Sequence, residues 1–217
     1  MNRSIRAGES RLFQHPVRPP EQTMKQPAAF FVAVLLGNAA CASHHVQPAA
    51  ATIDCSGTIE IQGASYLGVI FPPECASGAA SAVGERAVEY WLPTAEIVAK
   101  AEQGLRAALD EARKSPSSID AQALTSPARA AYVAADIGAI VDRLGRYRRQ
   151  YLGLRLADGR QRLLINFFPS AEAGASDSFG YWKQRWVVVD DGGNSYWRIQ
   201  YDVPSGAFMS FDCNGNA

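Results

Sequence analysis

The densest potential for chemistry lies between residues 143 and 162, in Arg143, Arg146, Tyr147, Arg148, Arg149, Tyr151, Arg155 and Arg162. A guanidinium offers a planar fork of donors that matches carboxylate and phosphate oxygens. Asp158-Gly159 reads as a two-residue hairpin turn, which sets a register for the strands around it. In that register Ala157 faces Arg160, Arg155 opposes Arg162, Leu154 opposes Leu163 and Leu152 opposes Ile165. The four apolar residues form one face towards the helices, and Tyr151 lies beside Asn166 on the outer face. Directly opposed arginines repel by roughly a few tenths of a kcal/mol and so invite an anionic neighbour. That neighbour is either an acidic residue from the N-terminal strands or a ligand carboxylate or phosphate. The candidate ligand-binding set is therefore Arg149, Tyr151, Arg155, Arg162 and Asn166. Trp182, beside Gly180 in a loop, joins it as the best candidate for an exposed ring.

Other chemistry is scarce. The three histidines, His15, His44 and His45, all precede residue 54. A domain formed by the rest of the chain has no Ser-His-Asp triad, no Cys-His pair and no histidine-ligated zinc. Neither GxxxxGK[ST] nor GxGxxG occurs, so there is no phosphate-cradling loop of those kinds. Asp190 and Asp191 are adjacent carboxylates, but neighbours in a turn point apart, and Asp followed by Gly is ordinary turn chemistry. Cys213 lacks an obvious base and reads as a buried thiol alternating with Met209 and Phe211. No catalytic residue, metal ligand or cofactor is expected.

The compartment is written near the start. Met24–Ala42 has a basic residue (Lys25), a short apolar core (Ala28 to Leu36) and small residues around Cys41. That pattern is a secretory signal, and its core is much shorter than the roughly 18 apolar residues of a membrane span. Residues 1–23 then read as an extension upstream of the true start at Met24. Ala40-Cys41-Ala42 fits cleavage that releases a soluble protein. Asn38-Ala39-Ala40-Cys41 resembles a lipoprotein box, with Cys41 as the lipidated residue, except that Asn38 stands where leucine is usual. The expected location is the periplasm, the membrane surface through a lipid at Cys41, or the medium. In an oxidising compartment Cys55 and Cys75 are a plausible disulfide pair, whose loop closure contributes roughly 3 kcal/mol. Of 21 Lys+Arg and 21 Asp+Glu, five basic but only two acidic residues fall within the first 42. The remainder is mildly acidic, which argues against nucleic acid or anionic membrane as a general partner.

The elements that must position these residues follow from periodicity. Residues 43–53 form a tether, and 54–217 form one domain. Thr58–Ile61 and Tyr66–Phe71 are short β-like runs, and Val88–Leu92 is a strand or extended entry. Thr94 is an N-cap, and Ile97, Ala101, Leu105 and Leu109 recur every four residues as one helical stripe. A second helix runs from about Pro127 to Leu144. The period then turns to alternation over Arg149–Leu156, Gln161–Phe168, Trp186–Val189, Tyr196–Asp202 and Ala207–Asp212. This predicts an α+β domain, two helices packed on a mainly antiparallel meander of about five strands. The arrangement is similar to cystatin-like helix-on-meander domains, which serve inhibitors, binders and enzymes alike.

Trp91-Leu92-Pro93-Thr94, Arg149-Gln150-Tyr151-Leu152-Gly153, Ile165-Asn166-Phe167-Phe168, Asp191-Gly192-Gly193 and Asn214-Gly215 form a further pattern. It is similar to a group of exported bacterial proteins without an assigned activity, over roughly residues 88–217. The resemblance implies one domain and transfers no catalytic residue. The expected function is an envelope binding module, inhibitor-like, recognising a protein or an anionic envelope component through the outer face of the 149–168 hairpin. The alternatives are a carboxylate-dependent hydrolase or a periplasmic carbohydrate-binding domain built on Trp182 and its neighbouring rings.

Overall fold

The computed structural model describes residues 55–79, 87–171 and 177–215. The segments read from sequence as a 1–23 extension, a 24–42 export signal with Cys41 and a 43–53 tether lie outside them.

Two helices form where the sequence caps them. α1 (Ala95–Lys114) begins at Thr94, whose side chain accepts from the Ile97 N–H at 3.3 Å, and ends with Arg113 and Lys114 in its last turn. Those charges complement the two ends of the helix dipole, with Glu96 at the start. α2 (Pro127–Asp142) begins at Ser126, whose side chain accepts from the Arg129 N–H at 3.2 Å, with Pro127 in the first turn. Val98, Ala101, Leu105 and Leu109 of α1 and Val133, Ile137, Ile140 and Val141 of α2 are buried.

The sheet has seven strands, more than the five-strand meander expected. They are β1 (Ile59–Gln62), β2 (Leu67–Ile70), β3 (Ala87–Trp91), β4 (Tyr147–Leu156), β5 (Gln161–Pro169), β6 (Trp197–Asp202) and β7 (Phe208–Cys213). The order is β1-β2-β4-β5-β6-β7, antiparallel except that β2 runs parallel to β4. A parallel neighbour requires a long crossover, and the stretch from β2 to β4 contains both helices. β2 pairs with the first half of β4 (Arg148–Tyr151), and β3 pairs with the second half (Gly153–Leu156). Gly153 lets β3 come close, since a Cβ there would stand 2.3 Å from the Trp91 carbonyl.

The β4–β5 register differs from the expectation by one residue. Ala157, Asp158 and Gly159 form a three-residue loop closed by Leu156 N–H to Arg160 O at 3.0 Å, with Gly159 at φ +84°. A three-residue loop with a left-handed glycine is a standard hairpin solution. Leu154 therefore opposes Arg162, Arg155 opposes Gln161, and Gln150 opposes Asn166. A one-residue slip exchanges the faces. Tyr151, Leu163, Ile165 and Phe167 pack under the helices with Trp197 and Ile199. Leu152, Leu154, Leu164 and Phe168 pack on the opposite face with Trp182, Trp186 and Val187. β4 and β5 are covered on both sides, which is why each contributes apolar residues to both faces.

Trp186–Val189 is not a strand. Its neighbourhood is held on the sheet face by two buried side-chain amides instead of a ladder. Gln150 donates to the carbonyls of Trp182 and Arg185, both at 2.7 Å. Its oxygen accepts from Asn166 Nδ2 at 3.0 Å and from the Val187 N–H at 2.8 Å. Asn166 also donates to the Val187 carbonyl at 3.0 Å. Gln150 thus uses two donors and two lone pairs, its full capacity, at zero exposure. Replacing it with alanine leaves several buried backbone groups unpaired, each costing about 1–3 kcal/mol. We expect Gln150→Ala to lower the unfolding free energy by at least about 3 kcal/mol, read from the denaturant midpoint. A loss under about 1 kcal/mol would show that these bonds do not hold the segment.

Candidate functional site

The six sequence-nominated residues fall into separate environments. Arg149 is 1% exposed beneath α1, where its Nε meets Glu102 Oε1 at 3.3 Å and its Nη2 donates to the Leu144 carbonyl at 3.1 Å. Tyr151 donates to the same Glu102 oxygen at 2.7 Å. Burial and the facing Glu102 carboxylate push the Tyr151 phenol well above its ordinary value, so it remains a donor. The anion that satisfies these two residues is internal and comes from α1.

Arg155 pairs with Glu89 on β3 at 2.8 Å and is partly exposed. Arg162 is buried on the opposite sheet face and donates to Gln200 Oε1 at 2.8 Å. The two arginines are not cross-strand partners, because the three-residue loop moves the register. Asn166 is buried in the amide pair described above. Trp182, expected to be exposed, is 3% exposed and packs on Phe168, with Arg148 5.2 Å over its ring. Tyr181 is the more exposed ring of that segment. Glu102 links Arg149 to Tyr151, and Gln150 links Asn166 to the Trp182 backbone, but the six share no accessible face.

Cys55 and Cys75 are joined by a disulfide that ties the start of the described residues to the turn after β2. Asp190 and Asp191 are exposed in a bend, where Asn214 Nδ2 donates to the carbonyls of Val189 and Asp191. Among the described residues no group of His, Cys, Asp and Glu could hold a metal ion, and no helix is long and apolar enough to cross a membrane.

A concavity among the described residues lies elsewhere. Its floor is the part of the sheet face opposite the helices that the 177–189 segment leaves uncovered. It measures about 730 Å³, and Leu164, Arg198, Gln200, Met209 and Asp212 lie on that floor. Its wall is the connection between the helices, where Ser117, Asp120 and Gln122 meet Arg129. The charges are matched in pairs: Arg129 Nε to Asp120 Oδ2 at 2.7 Å, and Arg198 to Asp212. A backbone bond from the Phe211 N–H to the Ile119 carbonyl at 3.0 Å seals wall to floor.

A bulge in β7 shapes this cleft. Arg198 pairs with Asp212 and Gln200 with Met209, so one extra residue lies on β7 between them. Ser210 there has φ +54°, the one non-glycine in the left-handed region among the described residues. The bulge lets Phe208, Phe211 and Cys213 all face the helices, and it turns Met209 into the cleft, away from the face it was expected to share with Phe211 and Cys213. Residue type offered no signal for it, since left-handed turns are normally announced by Gly or Asn. Sequence reasoning missed Arg198, Gln200 and Asp212 because their proximity exists only after β6 and β7 pair.

Comparison with family models found no match, and comparisons with curated proteins and with solved structures found none either. The five-segment pattern beginning at Trp91 therefore has no matched family behind it.

Three outcomes are expected here. Burial, reinforced by the Asp136 carboxylate, pushes the Cys213 thiol from its ordinary 9.0 up to about 12. The folded protein should resist iodoacetamide at pH 8 and react only when unfolded, as mass spectrometry would show. The sign of the linkage follows: native and unfolded thiols are both protonated below about pH 9, and stability falls as pH rises from there towards 12. Cys213→Ala should flatten that alkaline fall. Ser210→Gly relieves a left-handed serine and should raise stability by about 0.5–1 kcal/mol; a decrease would show that Ser210 makes compensating contacts.

Proposed function

We propose that this chain is an exported binding module of the bacterial envelope that accepts a peptide segment of a partner protein in the β6–β7 cleft. The observation that carries this reading is the cleft lining: apolar Leu164, Met209 and Ile119 beside two neutralised ion pairs, with a strained Ser210 between them. A peptide presents the same mixture of apolar side chains, amides and occasional charges. A small anion would instead meet Asp120 and Asp212, and a nucleic acid would find no net positive charge. Backbone strain concentrates at functional sites, where about 1–3 kcal/mol is tolerated for the geometry it creates. Largely pre-formed concavities of roughly 300–1,000 Å³ are typical of binding sites.

Export rests on the 24–42 signal pattern and on the Cys55–Cys75 disulfide, which suits an oxidising compartment. Binding is favoured over hydrolysis because the cleft's two carboxylates are each engaged by an arginine rather than facing one another across a substrate gap. A carbohydrate platform on Trp182 would need that ring at the surface.

The test is selection of a random peptide library on the full chain, followed by affinity measurement with variants. Met209→Arg, which fills the cleft floor, should weaken selected peptides at least about tenfold, a loss of roughly 1.4 kcal/mol. Arg155→Glu, outside the cleft, should leave affinity unchanged. Peptides that bind the Met209→Arg variant as tightly as the parent would sink the assignment, as would a library yielding no binders.

A further inference from the structure

A second concavity, of about 510 Å³, opens where the end of α2 meets the start of β4 and the end of β5. Its lining includes Arg143, Arg146, Tyr147, Ser170 and Ser195, and no carboxylate among the described residues. That distinguishes it from the β6–β7 cleft, where every charge is matched. Its arginines also differ from the six elsewhere that sit in ion pairs. Arg129, Arg148, Arg149, Arg155, Arg160 and Arg198 each hold a carboxylate. Among the described residues, Arg143 and Arg146 hold none.

Arg143 is also pre-positioned. Its Nε donates to the Ala139 carbonyl at 3.1 Å, and its Nη2 donates to Asn194 Oδ1. Asn194 is itself fixed, donating to Asp136 Oδ1 at 3.2 Å and accepting at its carbonyl from the Tyr147 hydroxyl at 2.7 Å. The guanidinium lies 6.0 Å over the Tyr147 ring. These contacts orient the group through neutral partners and leave its positive charge uncompensated by a direct ion pair. Arg146 stands on a clamped backbone, with its N–H donating to the Arg143 carbonyl at 2.7 Å and its carbonyl accepting from the Ser170 N–H at 2.8 Å. Its side chain is exposed.

We infer that this pocket binds the phosphate group of an organic phosphate, with Arg143 and Arg146 on the phosphate oxygens and the hydroxyls of Ser170 and Ser195 completing the set. Two forks and two hydroxyls supply more donors than a planar carboxylate can accept, whereas a phosphate offers acceptors in several directions. The volume leaves room for the organic part, which sets a phosphate ester above a bare ion. This site lies on different residues from the peptide cleft and is independent of that proposal.

The experiment is calorimetric titration of the full chain with inorganic phosphate at low ionic strength, where surface charge is least screened. A parallel arm uses co-sedimentation with phosphatidylcholine vesicles with and without phosphatidylglycerol. Arg146→Gln, an exposed position, should weaken phosphate binding at least about tenfold, and Arg155→Gln should leave it unchanged. Arg143→Lys keeps the charge but loses the fork, and should also weaken binding. Binding to phosphatidylglycerol vesicles that Arg146→Gln abolishes assigns the phosphate to a lipid headgroup. Binding of free phosphate without sedimentation assigns it to a soluble ester. Absence of both, or phosphate binding that survives Arg146→Gln, overturns the inference.

Discussion

The amide pair of Gln150 and Asn166 is the constraint on which the rest of the architecture turns. The two are cross-strand partners at the centre of the sheet, on the face away from the helices. Polar groups in that position, buried and unpaired, would be costly. Here they supply the hydrogen bonds that a non-repetitive segment cannot supply for itself. The 182–187 backbone is thereby fastened over β4 and β5 without forming a strand. Lys183 adds an outer tie to Glu60 on β1 at 2.7 Å. The result is a sheet closed by helices on one face and by a partial cover on the other.

That partial cover decides where a ligand could go. It seals the outer face of the 149–168 hairpin and buries Trp182, removing the surface that the arginine pattern suggested. It stops short of β6 and β7, and the uncovered floor becomes the larger cleft. The β7 bulge then turns Met209 towards that floor while Phe208, Phe211 and Cys213 stay with the helices.

Glu102 plays the matching part on the helix side. One carboxylate from α1 takes both Arg149 and Tyr151, so two polar residues of β4 are carried into the helix-facing core with partners. A buried ion pair contributes little net stability compared with an apolar equivalent, but it is costly to break. It also pins the position of α1 along β4. Arg149 is thereby neutralised in the core and Arg155 is paired with Glu89 nearer the surface, whereas Arg143 and Arg146 stand without a carboxylate partner among the described residues.

Several features were legible from residue type and spacing alone. The two helices and the Thr94 cap, the hairpin after β4 and the β6–β7 hairpin are local, and local hydrogen bonds and periodicity specify them. So is the absence of histidine beyond residue 45, which no folding can repair. The register of β4 and β5 was not legible, because Asp158-Gly159 serves a two-residue or a three-residue loop equally well and the choice decides which face of β4 goes with which face of β5. Whether Trp186–Val189 paired as a strand depended on two amides far away in sequence. Which arginines remain open to a ligand was settled by carboxylates on other elements, such as Glu102 and Glu89. The sequence by itself determined the elements and the available chemistry, since these rest on neighbours along the chain. Only the tertiary structure decided which of those groups are neutralised, which are buried and which face solvent, since charge pairing and burial are set by contacts between distant residues.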